Sequence, residues 1–212
     1  MSTSPTTPNA VETIELLSGA ASPRPLFVLL HDAGGTAVDM LELGNRLGDA
    51  FAESAVLIPE GLSVPSDVPA NTDALAQAVQ ALADFLRAQQ ERFGVLQSDT
   101  ALFGLGAGAS LALALSNAHD GLVGRVLAFG GCYPVWPAMA PALTTLHLLH
   151  GQNDRVVPAA RVRNDFAHLM ELGADATLDM ASTLGHELHP ALMDQAITRL
   201  QTCVPLRFWK AL

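Results

Sequence analysis

The chain has 212 residues, of which 50% are hydrophobic and 15% are charged, a composition typical of a globular domain and not of a disordered segment. Its formal net charge is -10, and its 11 lysines and arginines are scattered, so no basic patch favours nucleic acid or an anionic membrane as a partner. The two cysteines, Cys132 and Cys203, stand in dissimilar contexts. They predict no disulfide framework, and we expect a cytoplasmic location.

The chain is expected to form one domain. Residues 1–10 predict a disordered tail, and residues 11–212 predict a single domain, because no repeat, linker or change of composition divides them. The first ten residues lack the basic start and apolar core of a signal peptide. No apolar run has the character of a membrane span. We therefore expect a small-molecule partner and no membrane insertion, and the oligomeric state stays open.

A series of apolar runs predicts the strands in chain order. Residues 11–16 alternate apolar and polar side chains, as a half-exposed strand does. Residues 26–32 form a continuous apolar run, which is typical of a strand buried on both faces. Further runs predict strands at 55–60, 100–106, 125–131, 144–151 and 175–181.

Helical segments lie between these runs. In residues 71–93, apolar side chains at steps of about three and four share one face. The alternation of strands and helices predicts an α/β protein with three layers, in which helices cover both faces of a mostly parallel sheet. The functional residues of such a sheet lie on loops at the carboxyl ends of the strands. The other predicted helices are residues 39–49, 109–118, 159–172 and 190–200.

The glycine-rich stretch from Thr100 to Ser116, TALFGLGAGASLALALS, has three interpretations. It fits a dinucleotide-binding fingerprint, but no acidic residue follows at the end of the next strand, and no Lys-Ser or Lys-Thr pair indicates a phosphate loop. It also fits the nucleophile elbow G-x-S-x-G, in which Gly106 would occupy the place of the serine. The third interpretation is a tight strand-to-helix turn whose glycines allow close packing.

Two residues further along the chain favour the nucleophile elbow. Asp154 lies just beyond the apolar strand that ends in His150 and Gly151, and His186 lies in a loop before the last helix. The order of position 106, Asp154 and His186 is that of an α/β-hydrolase triad. We therefore expect the side chains of Asp154 and His186 to converge on a vacant position above Gly106.

With the motifs VLLHDAGGT, ALFGLGAGAS, HGQNDRVVP and GHELHP, the chain resembles the α/β-hydrolases of the phospholipase/carboxylesterase group, which include acyl-protein thioesterases. The resemblance implies an α/β-hydrolase fold without a large cap domain, and hydrolysis of an acyl ester or thioester through a serine. It identifies Asp154 as the acid, His186 as the base, and the N–H groups of Ala33 and Ala107 as the oxyanion hole. Gly106 occupies the nucleophile position.

Two residues depart from the pattern of this group. Gly106 adopts the backbone of the elbow freely but cannot attack a carbonyl, so ordinary esterase activity is not expected. Asp32 stands where members of the group have a glycine after the histidine, and we expect it to point to solvent or to cap the following segment. The glycine at 106 is either native, giving a pseudoenzyme that binds acyl ligands or serves in interactions, or an engineered replacement in a competent esterase.

Other residues have structural interpretations. Ser110, one helical turn past the elbow, and Cys132, at the end of another strand, could each supply a nucleophile, but we expect both to be structural. Residues 61–68 and 133–141 predict the apolar walls of a pocket. The dispersed cysteines and histidines predict no metal site, and no cofactor is expected.

Overall fold

The computed structural model describes residues 11–62 and 72–205. The tail predicted at residues 1–10 lies outside these ranges, and so does most of the pocket wall predicted at 61–68. None of the helices in the described ranges is long and apolar enough to cross a bilayer. The cytoplasmic location stays a prediction.

Each strand overlaps the apolar run that predicted it. The run at residues 26–32 forms a strand whose five residues are all buried, as a continuous apolar run requires. The alternating run at residues 11–16 forms an edge strand that is only partly buried. The strands are β1 (Thr13–Leu17), β2 (Leu26–Leu30), β3 (Ala55–Pro59), β4 (Thr100–Leu105), β5 (Arg125–Phe129), β6 (Thr145–Gly151) and β7 (Ala176–Ala181).

Five helices connect or follow the strands, close to the predicted bounds. The last one shows why its start was readable from sequence. Pro190 occupies its first position, where no backbone N–H is needed, and the Nδ1 atom of His189 accepts the N–H of Ala191. The helices are α1 (Leu41–Ala50), α2 (Thr72–Phe93), α3 (Ala107–Ala118), α4 (Ala159–Glu171) and α5 (Pro190–Thr202).

The sheet has the strand order β1-β3-β2-β4-β5-β6-β7. Strand β1 pairs with β3 in the antiparallel direction, and every other pair is parallel. Because parallel neighbours need a crossover connection, helices α2 to α4 each return the chain to the same edge of the sheet. The mostly parallel sheet predicted from the alternation of elements is confirmed.

The core lies in two layers, one on each face of the sheet. Strand β2 shows the division, because Leu26 and Val28 pack in the cluster that contains α2, α3 and α4. Phe27 and Leu29 point the other way, into the cluster that contains α1 and α5. The alternation of side chains along a strand therefore gives the three layers that were predicted.

The register of the parallel strands places their carboxyl ends side by side. Leu30 of β2 is opposite Gly104 of β4, and Gly104 is opposite Ala128 of β5. Strands β6 and β7 continue the sheet in the same direction. The loops that follow these strands consequently meet at one edge, where α/β proteins hold their ligands.

Candidate active site

The turn between β4 and α3 depends on glycine. Gly106 precedes α3 with φ 52° and ψ -111°, a combination that side chains disfavour by about 1 to 3 kcal/mol. Its N–H donates to the carbonyl of Phe129 at 2.9 Å, which fixes the turn against the end of β5. Gly108 allows α3 to approach β2, since a Cβ there would lie 2.6 Å from the carbonyl oxygen of His31. The turn is thus a sharp corner, as an elbow requires.

Asp154 and His186 form a hydrogen-bonded pair. The Oδ1 atom of Asp154 accepts the N–H groups of Val156 at 2.8 Å and Val157 at 2.9 Å. Its Oδ2 atom accepts the Nδ1–H of His186 at 2.8 Å. The Asp154 side chain is fully buried, so these three bonds both satisfy the carboxylate and fix its direction. The imidazole is therefore held with its Nε2 atom facing the edge of the sheet.

Asp32 joins this pair from the loop after β2. Its Oδ1 atom accepts two backbone N–H groups, those of Ala33 and Ala107, both at 2.7 Å. Its Oδ2 atom lies 3.0 Å from Nε2 of His186. The prediction that Asp32 points to solvent is wrong, although the capping bond to the next residue is present. Strand β2 lies beside β4, so a carboxylate after β2 reaches the unpaired N–H groups that begin α3.

The position above Gly106 is filled. A Cβ atom built on Gly106 would lie 2.1 Å from Oδ1 and 2.3 Å from Cγ of Asp32. Both distances are far shorter than a van der Waals contact. Asp154 and His186 do converge there, but on the carboxylate of Asp32 and not on the vacant position that the sequence predicted.

The three side chains carry charge as an acid-base-acid array. Hydrogen bonding to Asp32 raises the pKa of His186 to about 9, burial opposes this change, and Asp154 adds to it. Burial by itself would raise the pKa of Asp32, but the bonds from His186, Ala107 and Ala33 outweigh it and hold that pKa below its usual value. At neutral pH His186 is consequently an imidazolium, which donates from both ring nitrogens.

The alternative nucleophiles do not join this array. The hydroxyl of Ser110 donates to the carbonyl of Gly106 at 3.1 Å and accepts the N–H of Cys132 at 3.3 Å. Cys132 is half-buried, and burial raises the pKa of its thiol. Within the described ranges neither side chain hydrogen-bonds to His186. Both residues therefore have the structural surroundings that were expected of them.

Two further histidines support the loops around the site. The Nδ1–H of His31 donates to the carbonyl of Asp32 at 2.8 Å, which fixes the backbone that carries this carboxylate. The Nε2–H of His150 donates to the carbonyl of Val157 at 2.9 Å. Burial lowers the pKa of His150, so the ring stays neutral beside the Asp154 and His186 pair.

Asp165 was not identified from sequence, although it fixes one wall of the site. It lies on the buried face of α4 and is only 2% exposed. Its carboxylate accepts the N–H of Tyr133 at 2.8 Å, the Nε1–H of Trp136 at 2.6 Å and the Nε–H of Arg161 at 3.1 Å. An acidic residue on the apolar face of a predicted helix was the available signal. The segment 133–141, predicted as a pocket wall, is anchored through this side chain.

The fold and site together define a class of protein. A parallel sheet with a sharp glycine turn after β4, an acid after β6 and a histidine after β7 is the arrangement of the α/β-hydrolases. The model of the family described as phospholipase/carboxylesterase matches residues 63–204. The chain belongs to this family, and its scaffold is of the carboxylesterase type.

Known relatives agree with this assignment. The chain is 32% identical over 198 residues to the esterase YpfH of Escherichia coli (strain K12), an alignment that covers 87% of this chain and 85% of that protein. It resembles the crystal structure of the esterase PE8 with a TM-score of 0.78 and 25% identity, covering 92% of this chain and 99% of that one. The Bacillus cereus carboxylesterase gives the same TM-score at 18% identity, over 92% and 96% of the two chains, and supports the fold.

Proposed function

We propose that this chain is a carboxylesterase-type scaffold that no longer hydrolyses esters through a serine. In this proposal Gly106 stands at the nucleophile position, and Asp154 and His186 are the retained acid and base. The N–H groups of Ala33 and Ala107 are the retained oxyanion donors. Family membership supports an acyl ester or thioester as the small-molecule substrate class of the scaffold.

One observation carries the proposal, namely that Asp32 accepts both of these N–H groups at 2.7 Å. An oxyanion hole works when its donors lie about 2.7 to 3.1 Å from the substrate oxygen. A substrate carbonyl would therefore have to displace a carboxylate that is also bonded to His186. Because that bond keeps His186 protonated, the histidine cannot act as a base either. The nucleophile, the oxyanion hole and the base are thus all unavailable for serine-type hydrolysis.

The fit between Asp32 and Gly106 supports a native glycine over an engineered one. In an esterase with a serine at 106, Asp32 could not keep its present position, because the Cβ atom would overlap its carboxylate. The carboxylate would then either be displaced or oppose the negative charge of the transition state. Asp32 is thus suited to a chain that has glycine at 106.

The same carboxylate weighs against the other candidate functions. An acyl-binding pseudoenzyme would use the N–H groups of Ala33 and Ala107 for the acyl carbonyl, and Asp32 already occupies them. A dinucleotide-binding protein would place its pyrophosphate at the start of α3. An anionic side chain holds that place here, so the inactive esterase scaffold is the best-supported function.

Hydrolysis of a short p-nitrophenyl ester tests the proposal. The double variant Asp32→Gly/Gly106→Ser is expected to exceed the native chain by at least about 10³ in kcat/KM, because it restores the nucleophile and frees both the oxyanion donors and His186. The matched control is Asp32→Gly/Gly106→Ala, which adds a Cβ at the same position but no hydroxyl. The single variant Gly106→Ser is expected to fall between the native chain and the double variant, since Asp32 still competes for the donors.

Two results would contradict the proposal. Ester hydrolysis by the native chain that survives Gly106→Ala would show a working nucleophile elsewhere. Equal rates for the serine double variant and its alanine control would show that Asp154 and His186 do not activate a hydroxyl at position 106. Circular dichroism of each variant establishes that the compared proteins are folded.

A further inference from the structure

The carboxylate of Asp32 is placed as a reacting group and not only as an obstruction. Resting on the proposed roles of Ala33, Ala107 and His186, we propose that Asp32 is a nucleophile and that the native site opens epoxides by attack of its Oδ2 atom on a ring carbon. The product would be a 1,2-diol. The site would then have exchanged serine-type ester hydrolysis for a reaction in which the aspartate carries the substrate.

Asp32 is ready to attack without a base. Although burial acts to raise its pKa, hydrogen bonds hold that pKa low, so the carboxylate is ionised at neutral pH. A serine hydroxyl, by contrast, must lose its proton to a neutral histidine. The Oδ2 atom accepts one hydrogen bond, from Nε2 of His186, and a carboxylate oxygen has a second lone pair. The side chain is 30% exposed, so a small substrate can reach this oxygen.

The occupied donors select the kind of carbon that can be attacked. Attack on an ester carbonyl creates an oxyanion on the substrate, and the two N–H groups that would stabilise it are bonded to Asp32 itself. Attack on a tetrahedral ring carbon makes no such demand. It releases an alkoxide that needs a proton, and His186 holds one on Nε2 at 3.0 Å from the attacking oxygen. An epoxide also keeps its leaving oxygen attached, so no separate site for a leaving group is required.

The first step forms an ester on Asp32. The bond from Oδ2 to the ring carbon forms, the C–O bond of the ring breaks, and the alkoxide takes the Nε2 proton of His186. The result is a hydroxyalkyl ester of Asp32 beside a neutral imidazole. Esterification removes the negative charge that contributes most to the raised pKa of His186. The histidine therefore becomes a base for the next step, while Asp154 still holds its Nδ1–H.

The second step releases the diol with help from the same two N–H groups. His186 takes a proton from water, the water oxygen bonds to Cγ of Asp32, and the negative charge forms on Oδ1. Ala33 and Ala107 already donate to that atom at 2.7 Å. The bond from Cγ to Oδ2 then breaks, His186 protonates the departing alkoxide, and the new carboxylic acid returns its proton to His186. The sum is epoxide plus water giving diol, with the water oxygen left in Asp32.

Isotope labelling of the full native chain tests this inference. Styrene oxide is reacted with excess protein in water that carries the heavy oxygen isotope, and both diol and protein are analysed by mass spectrometry. We expect unlabelled diol and one heavy oxygen in the Asp32 side chain, localised by peptide fragmentation. Asp32→Asn should lose diol formation to the rate in buffer. Asp39→Asn is the matched control, because Asp39 caps the segment that begins at Thr36 and leaves Asp32 intact.

Each alternative result overturns the inference. Native protein that forms no diol above the rate in buffer has no ring-opening activity. Heavy oxygen in the diol and none in Asp32 would show direct attack by water. Failure here leaves the proposed function intact, since that is judged by ester hydrolysis in the Asp32→Gly/Gly106→Ser variant. The labelling result requires no variant to fold, so it is decisive by itself.

Discussion

Asp32 and Gly106 are sterically complementary, because the carboxylate of Asp32 fills the volume that a side chain at position 106 would occupy. A Cβ atom there would lie 2.1 Å from Oδ1 of Asp32. The two residues belong to loops after adjacent strands, β2 and β4. A substitution at one of them therefore changes the hydrogen bonds of the other, and this coupling is measurable.

Gly106→Ala is expected to destabilise the protein by more than backbone strain alone. The positive φ costs about 1 to 3 kcal/mol, and the new methyl group also displaces the carboxylate from its three partners. Gly173→Ala is the matched control, because Gly173 has φ 75° but nothing within 4 Å of a Cβ. In an Asp32→Gly background the extra cost should fall by roughly 0.5 to 3 kcal/mol, the range of coupling between contacting residues. Urea unfolding of the four variants measures it, and additive costs would refute the coupling.

The titration of His186 should report its two carboxylate partners. The pKa of His186, raised to about 9 chiefly by the hydrogen bond to Asp32, should fall in Asp32→Asn because the charge on the Nε2 side is lost. Nuclear magnetic resonance of the imidazole follows this pKa directly. Asp39→Asn should leave it unchanged. A native His186 that titrates near the ordinary value of about 6.5 would show that the bond to Asp32 does not form in solution.

The stability of the native chain should decline in mildly alkaline solution. A raised pKa means that the folded state binds the proton of His186 more tightly than the unfolded state does. Its contribution to the free energy of unfolding is thus complete below about pH 6.5 and is lost as the pH rises through about 9. His147, whose pKa burial and nearby arginines lower to about 4, acts below this window. Urea midpoints from pH 6.5 to 9.5 should fall more steeply for the native chain than for Asp32→Asn, and parallel curves would contradict the linkage.

Asp165→Ala should release the segment that carries Trp136. The substitution leaves the N–H of Tyr133 and the Nε1–H of Trp136 without their acceptor, which costs roughly 1 to 3 kcal/mol for each buried donor left unpaired. Trp136 is one of two tryptophans, so a Trp209→Phe background isolates its fluorescence, which should shift to longer wavelength. Asp84→Ala is the control, since Asp84 is an exposed partner of Arg87 and should change stability by less than about 0.5 kcal/mol. An unshifted emission would mean that other contacts hold the segment.

Much of the fold followed from sequence because its signals are local. The apolar run at residues 26–32 and the periodicity of residues 71–93 each predicted an element that the structure contains. The spacing of Gly106, Asp154 and His186 indicated loops that a parallel sheet gathers at one edge, and these residues do meet there. Their roles in catalysis stay predictions.

The sequence by itself determined the order of strands and helices, the glycine corner and the loops that carry the acid and the histidine, since periodicity and turn residues act over a few positions. Only the tertiary structure decided what Asp32 does. Its carboxylate meets Ala107, which is 75 positions away, and His186, which is 154 positions away. No local pattern encodes such a contact, because it depends on strand order and on the space left by a missing side chain. The chemistry of the site therefore rests on a residue that the sequence pattern alone placed in the solvent.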